Sequence, residues 1–252
     1  MIKDLSILKE REDIKAIITF PSCDNEVYGS RIRELELMDI TAILSYGNIN
    51  LGKIAILGKG CVGLAIPVIY RRKLCVLKVR RTDANRPDMY NEVFMHILAN
   101  SVSVGPTLIN YTRNFILMEF IEGKHIFDWF RSNTISKTAI RNIIASSLRQ
   151  CFVLDRLGFD HGQLSRIKRH LIISSEGHPT IIDFESSSMV RRAANVTSLV
   201  QNFIASSFLF DSFGYSVTEK KRSEIMFSLR EYKLNKTEES FSKILDFFYS
   251  IF

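Results

Sequence analysis

The chain has 252 residues, of which 46% are hydrophobic and 24% charged, with 12 Gly and 5 Pro. That length builds one large domain or two small ones around a core that needs no staples, and the composition excludes disordered, fibrous and collagen-like chains. Lysine and arginine outnumber aspartate and glutamate 34 to 27, a net charge of +7. The basic residues come in short clusters: Arg71-Arg72-Lys73, Arg80-Arg81, the run from 166 to 169, Arg191-Arg192 and Lys220-Lys221-Arg222. Each cluster is either solvated surface or a site for an anionic partner such as a nucleotide, a nucleic acid or an acidic protein. Cys23, Cys61, Cys75 and Cys151 are scattered, with no C-x-x-C pair, which argues against a disulfide framework or a Cys-rich zinc site and for a reducing compartment. No apolar run approaches the ~20 residues of a membrane span. The opening MIKDLSILKERED has no apolar signal-peptide core. The expectation is a cytoplasmic protein with no membrane partner.

Taken in chain order, residues 1–50 read as an N-terminal extension, helical over 26–44 with Ile32, Leu35 and Ile43 on its apolar face. Strand-like runs follow at 53–57, 64–70 and 74–79, the last two joined by the polar turn Arg71-Arg72-Lys73. Residues 87–99 read as a helix with Pro87 in its first turn, its residues Val93, Phe94, Ile97 and Leu98 expected to pack on the sheet. Strand-like runs return at 107–110 and 115–121. From about 125 the pattern is mostly helical, over 138–157, 195–210, 218–231 and 237–251, broken by short β runs at 171–173 and 180–182. The fold class is therefore α+β: a β-rich lobe at 51–123, a helical lobe at 124–252, and a ligand cleft expected where they join.

Residues 58–63 read Gly58-Lys59-Gly60-Cys61-Val62-Gly63, a G-x-G-x-x-G. It can be an ordinary glycine-rich turn. A dinucleotide-binding fingerprint needs a helix immediately after it, and LAIPVIY, with its proline and β-branched residues, is poor helix material. No Gly-Lys-Ser/Thr follows, so it is not a P-loop. A strand–glycine loop–strand hairpin is the arrangement that lays backbone N–H groups over nucleotide phosphates in protein kinases. That arrangement needs four further parts in order: a lysine on the third strand, met by Lys78; a helical carboxylate to pair it, met by Glu92; a connector able to read an adenine edge, met by residues 117–123; and a metal-holding acid after a short strand, met by Asp183 in Ile181-Ile182-Asp183-Phe184. Taken singly, Lys78 could be an edge-strand lysine, Glu92 a solvent-facing helical residue and Asp183 an ordinary turn residue.

With these residues in hand, the chain resembles the protein-kinase-like superfamily. The segments GKGCVG, VLKVRRTDANR, LANSVSVGPTLI, MEFIEG, HGQLSRIKRHLII and IIDFES are similar to small predicted serine/threonine kinases of archaea, near the RIO kinases and the kinase of the KEOPS complex. The resemblance covers about residues 51–200. It implies that Gly58, Gly60 and Gly63 cover the phosphates of ATP, that Lys78 and Glu92 pair beside them, that Glu119 and Ile121 offer hinge backbone groups, and that Asp183 holds Mg²⁺ or Mn²⁺. Two positions depart from the family pattern. His161-Gly162-Gln163-Leu164 places Gln163 where the catalytic Asp stands, leaving Asp160 as the nearest carboxylate, or Gln163 itself to orient a nucleophile. The second metal ligand falls on Lys168 or His170 according to the alignment, with Glu185 able to supply the missing carboxylate; a His ligand favours Mn²⁺.

Two functions follow. The first is an atypical kinase that moves the γ-phosphate of ATP to a protein hydroxyl, its own included. The alternative, motivated by Gln163, is a nucleotide-binding pseudokinase or ATPase switch that acts on a protein, RNA or ribonucleoprotein partner. Small-molecule phosphotransferases of the aminoglycoside type share the fold, and their usual catalytic Asp is missing here as well.

Overall fold

The computed structural model describes residues 3–6, 12–132, 135–205 and 218–252. They divide into two units, one formed by residues through Ile97 together with Pro106–Phe120, the other by Leu98–Gly105 and Ile121–Phe252. The architecture is mixed α+β, with the large sheet in the N-terminal region and helices dominating the C-terminal part. Among the described residues no helix is long and apolar enough to cross a membrane.

In the first unit, β1 (Lys3–Ser6) is followed by α1 (Glu12–Ile18), α2 (Asn25–Leu37) and β2 (Ile40–Ser45). The helix expected over 26–44 is thus two elements. Asp24 caps α2 by accepting the Val27 N–H at 2.9 Å, and the helix stops where Asp39 takes a left-handed φ of 55°. The β-branched residues beyond it then extend as a strand. Next come β3 (Ile49–Leu51), β4 (Ile54–Ile56), β5 (Gly58–Lys59), β6 (Gly63–Tyr70) and β7 (Lys73–Arg80). The β6–β7 hairpin turns through Arg71 and Arg72, both at positive φ. After α3 (Tyr90–Ser101) the sheet is completed by β8 (Leu108–Tyr111) and β9 (Phe115–Glu119).

The main strand order is β1-β2-β6-β7-β9-β8, all neighbours antiparallel, with β5 beside β6. Residues 12–51 are woven into this unit: Ile14, Ile17, Leu35 and Ile43 share one buried cluster with Leu64, Ile66, Leu77 and Phe115.

Helix α3 begins three residues after Pro87, where Asp88 accepts the Tyr90 N–H at 3.1 Å. Its buried face carries Glu92, Val93, Met95, His96 and Ala99, with Met89 buried just before its first turn. Phe94 and Ile97, expected to pack on the sheet, are 53% and 45% exposed. The inward stripe runs Met89, Val93, His96 at i, i+4, i+7, and the outward stripe is its complement.

The second unit holds β10 (Lys124–His125), α4 (Ile126–Ser132), α5 (Lys137–Leu157), a 3-10 helix (Leu164–Arg169), β11 (Leu171–Ile173), β12 (Pro179–Ile181), α6 (Asn195–Ala205), α7 (Glu219–Leu234) and α8 (Glu238–Ile251). Residues 206–210 of the expected helix 195–210 lie outside the described residues. α5 is the organising element. Ser136 caps its start and Gly158, at φ 79°, ends it in the left-handed conformation that glycine adopts without steric cost. Its buried face, which includes Ile144, Leu148, Cys151 and Phe152, packs on α6 and α8, where Phe152 stacks on Phe241 with centroids 4.4 Å apart. The small sheet β10-β11-β12 is antiparallel throughout.

Candidate active site

In the first unit, Lys78 lies on the interior strand β7, between Ala65 of β6 and Ile116 of β9. Its Nζ donates to Glu92 Oε1 at 2.7 Å, and the two residues are 8% and 3% exposed. Interior ammonium groups are tolerated only with a counter-charge, and the inward stripe of α3 supplies one from 14 residues along the chain. The edge-strand and solvent-facing alternatives for these two residues do not apply. Gly63 makes room for the lysine stem: a Cβ there would lie 3.3 Å from Lys78 Cγ, 3.4 Å from its Cε and 3.0 Å from the Val79 carbonyl oxygen.

The rest of the glycine segment is held by backbone and by arginine. Gly58 stands opposite Ala65 across the β5–β6 pair. The Gly60 N–H donates to the Gly63 carbonyl at 2.8 Å, and the Arg81 N–H donates to the Val62 carbonyl at 2.8 Å. The Arg81 guanidinium donates to the Gly60 carbonyl at 3.1 Å and to both carboxylate oxygens of Asp83 at 2.8 and 2.7 Å. The Phe20 ring takes Lys59 at 4.6 Å and Arg81 at 5.2 Å as cation–π partners.

His96, one turn after Glu92 on α3, is buried and meets the Pro106 carbonyl through Nε2 at 2.7 Å. A carbonyl only accepts, so Nε2 carries the proton. Burial pushes the pKa of this imidazole below its ordinary value, with Lys78 adding to the shift. Glu119 ends β9. Its carboxylate accepts from Thr107 N and Oγ1 at 3.0 and 2.9 Å, and its N–H donates to the Thr107 carbonyl at 2.9 Å. Ile121 belongs to the second unit and is half-buried.

In the second unit, His161 is fully buried, its Nε2 donating to the Ile182 carbonyl at 3.1 Å. Its ring meets those of His170 and Phe184 edge-on at 5.4 and 5.7 Å. Burial first, and then His170, push the His161 pKa down to about 4, so it is a neutral structural imidazole. His170 Nδ1 lies 3.7 Å from Asp183 Oδ2. Asp183 adopts φ 71°, unusual for a non-glycine residue, and its side chain is 35% exposed.

Asp160 pairs backbone to backbone with Ser188, and its carboxylate accepts Arg191 Nε at 2.7 Å. Arg191 also donates to the Ser186 carbonyl, and Gln163 Nε2 donates to Ser186 Oγ at 2.8 Å. Asp160, Gln163 and the segment after Phe184 therefore share one polar network. Gly162, at φ 81°, permits it: a Cβ would sit 2.5 Å from Arg191 Nη2 and 2.8 Å from the Ser186 carbonyl. Among the described residues no three His, Cys, Asp or Glu side chains form a group that could hold a metal by themselves. Glu185 is half-buried and does not complete such a group with His170 and Asp183. Magnesium takes one or two carboxylates and keeps waters and substrate phosphates for the rest of its shell, so the part-exposed Asp183 carboxylate fits as a single protein ligand.

Several positioning residues escaped the reading of motifs. Asp155, 3% exposed on the packed face of α5, accepts from Asn195 N and Nδ2 at 2.8 and 2.9 Å, from Val196 N at 3.2 Å and from the Tyr232 hydroxyl at 2.9 Å. Burial raises the Asp155 pKa and these donors pull it back; with four donors aimed at two oxygens, the carboxylate form is the one the geometry serves. Asn195 in turn donates to the Phe159 carbonyl at 2.6 Å and accepts the His161 N–H at 2.9 Å. The loop 159–163 thus hangs from α5 and α6 by buried hydrogen bonds. The available signal was a lone Asp among Leu154, Cys151 and Phe152 on a helix face whose other buried polar residue is Ser147. Gly105, at φ 88°, lies in the segment LANSVSVGPTLI but had no role assigned: a Cβ there would lie 2.6 Å from the Phe184 ring, so this turn packs directly on the aromatic that follows Asp183.

No protein-family model matches the chain, and no curated protein matches its sequence.

Proposed function

We propose that this chain is an atypical member of the protein-kinase-like superfamily, with the bilobal architecture of that fold, and that it transfers the γ-phosphate of ATP to a serine or threonine hydroxyl of a protein, its own chain included. The single observation that carries this reading is the buried Lys78–Glu92 pair, with the lysine stem lying under Gly63 of a glycine-rich hairpin. A charged pair inside a sheet is a poor stabiliser compared with apolar residues. It is well suited to hold one ammonium in place for phosphate oxygens.

In this reading Lys78 binds the α- and β-phosphates, and the backbone of residues 58–63 covers them. Glu119 and Ile121 offer backbone groups to the adenine. A divalent cation on Asp183, when bound, neutralises phosphate charge. The acceptor oxygen bonds to the γ-phosphorus as the bond from that phosphorus to the β–γ bridging oxygen breaks, giving ADP and a phosphoester. The acceptor's proton passes to Asp160, which Arg191 orients. Phosphoryl transfer depends chiefly on positioning and charge stabilisation, so a carboxylate that is not at the usual position suffices. Gln163, held on Ser186, positions the loop instead of taking the proton.

The test is incubation with γ-labelled ATP and Mg²⁺ or Mn²⁺, with itself and a generic protein as acceptors. Label transfer that Lys78→Met and Asp183→Asn abolish is expected, with Mn²⁺ the better metal if His170 reaches it. ATP binding without any transfer under either metal would instead favour a pseudokinase or switch. That second reading has its own observation, the engagement of the Gln163 amide with Ser186 Oγ.

A further inference from the structure

The second unit has a cleft of about 480 Å³ lined by Phe127 of α4, by Arg166, Lys168 and Arg169 of the 3-10 helix, and by Asn202 of α6. Among the described residues no carboxylate lines it. Arg166, Lys168 and Arg169 are exposed, and among the described residues none of the three has an ion-pair or hydrogen-bond partner through its side chain. This contrasts with the basic residues nearby in sequence. Arg191 is paired with Asp160, Arg192 donates to the Lys233 carbonyl and Lys236 donates to the Ala193 carbonyl at 2.7 Å.

The cationic turn is also anchored. Leu164 and Ile167 are buried beneath it, and the Asn202 amide donates to the Ser165 carbonyl at 2.5 Å. Three like charges held close together without a counter-ion repel one another, and a bound polyanion relieves that repulsion.

We propose that this cleft binds a single-stranded polynucleotide, its phosphates on Arg166, Lys168 and Arg169 and a base against Phe127. The volume suits one nucleotide unit, where a duplex would need an open groove face. The phenyl ring beside the cations is the combination that single-strand binders use, charge for the backbone and an aromatic for the base. A phosphorylated or acidic peptide would use the charges and leave the ring without a role. The chain-wide excess of +7 adds long-range attraction for a polymer of negative charge. The assignment stands on the cleft alone and does not depend on phosphoryl transfer.

The full chain is titrated with labelled single-stranded RNA and DNA oligonucleotides of about 12 nucleotides at low and physiological salt, since counter-ion release makes such binding salt-dependent. The two sugars distinguish an RNA from a DNA ligand. The variant R166E/K168E/R169E should bind at least ~10-fold more weakly and lower the salt slope by about 2, at ~0.7 per lost contact. Phe127→Leu should weaken binding by about fivefold through loss of stacking. Reversal of Lys220, Lys221 and Arg222, a basic cluster outside the cleft, should have little effect. Circular dichroism and thermal melting check folding, and R166Q/K168Q/R169Q repeats the experiment without introducing negative charge. The proposal is overturned if the wild type binds neither oligonucleotide, if the cleft variants bind like wild type, if the control cluster matters equally, or if a phosphopeptide displaces the oligonucleotide as well as unlabelled oligonucleotide does.

Discussion

The two units handle buried polarity in opposite ways. In the first, an ammonium and a carboxylate are taken out of water together, Lys78 on an interior strand and Glu92 on a helix, 2.7 Å apart. In the second, the buried carboxylate of Asp155 is met by uncharged hydrogen-bond donors, and His161 is a neutral imidazole. The groups able to carry charge to a ligand, Asp183 and Asp160, stand at loop positions that keep them part-exposed. The first arrangement fixes one charge rigidly and depends on its partner. The second spreads the task of positioning over Asp155, Asn195 and Tyr232, none of which needs to meet a ligand. A single change removes the fixed charge of the first arrangement, whereas a change in the second loosens the loop it holds.

The largest effect is expected where the contrast is sharpest. Lys78→Met leaves Glu92 buried without its counter-charge and should cost about 3–5 kcal/mol of stability along with all phosphoryl transfer. The double variant Lys78→Met/Glu92→Met should recover most of that stability in chemical denaturation and none of the transfer. A double variant as active as wild type would reduce the pair to a structural role.

On the other side of the comparison, Asn195→Ala removes one donor from Asp155, the donor to the Phe159 carbonyl and the acceptor of the His161 N–H. Unmade buried hydrogen bonds of this kind cost about 3 kcal/mol together, read as a lower urea midpoint, with activity falling through disorder of the loop 159–163. Undiminished stability would mean that the network is not what holds the loop.

Gly63→Ala is a milder probe of the first unit. Its Cβ would crowd the Val79 carbonyl and the Lys78 stem, costing about 1 kcal/mol by overpacking and raising KM for ATP by about fivefold. An unchanged KM would separate the lysine from the glycine hairpin.

The smallest effect concerns pH. His96 is held neutral by burial, below its ordinary value of 6.5. The unfolded chain binds a proton there that the folded chain refuses, so stability is full above about pH 6.5 and declines as the pH falls through 6.5 toward the depressed folded value. His96→Gln keeps a donor for the Pro106 carbonyl and should make the acid limb of the stability curve shallower. An unaltered limb would show that other groups dominate it.

Much of the first unit was legible along the chain because its signals are local. Strand pattern, polar turn and glycine spacing fall within residues 58–80, and the observed β5, β6 and β7 span them. The boundary of α2 was harder to read, because Ile40 to Ser45 has the apolar content of either a helix or a strand, and only pairing with β1 and β6 decides between them. The outward turn of Phe94 and Ile97 was misread for a related reason. A helix with apolar residues on more than one side does not declare which side the sheet will cover.

What the sequence by itself determined is the order of its parts: a β-rich stretch carrying Gly58, Gly60, Gly63 and Lys78, then a helical one carrying His161, Gln163 and Asp183. What only the tertiary structure decided is the partner of each buried polar group. Asp155 meets Asn195 from 40 residues away and Tyr232 from 77, and Gly105 meets Phe184 across a comparable gap. Helix and strand periods act over a few residues and are written in the local order of side chains. The partner of a buried hydrogen-bonding group is set by which distant segment the packed core brings alongside it.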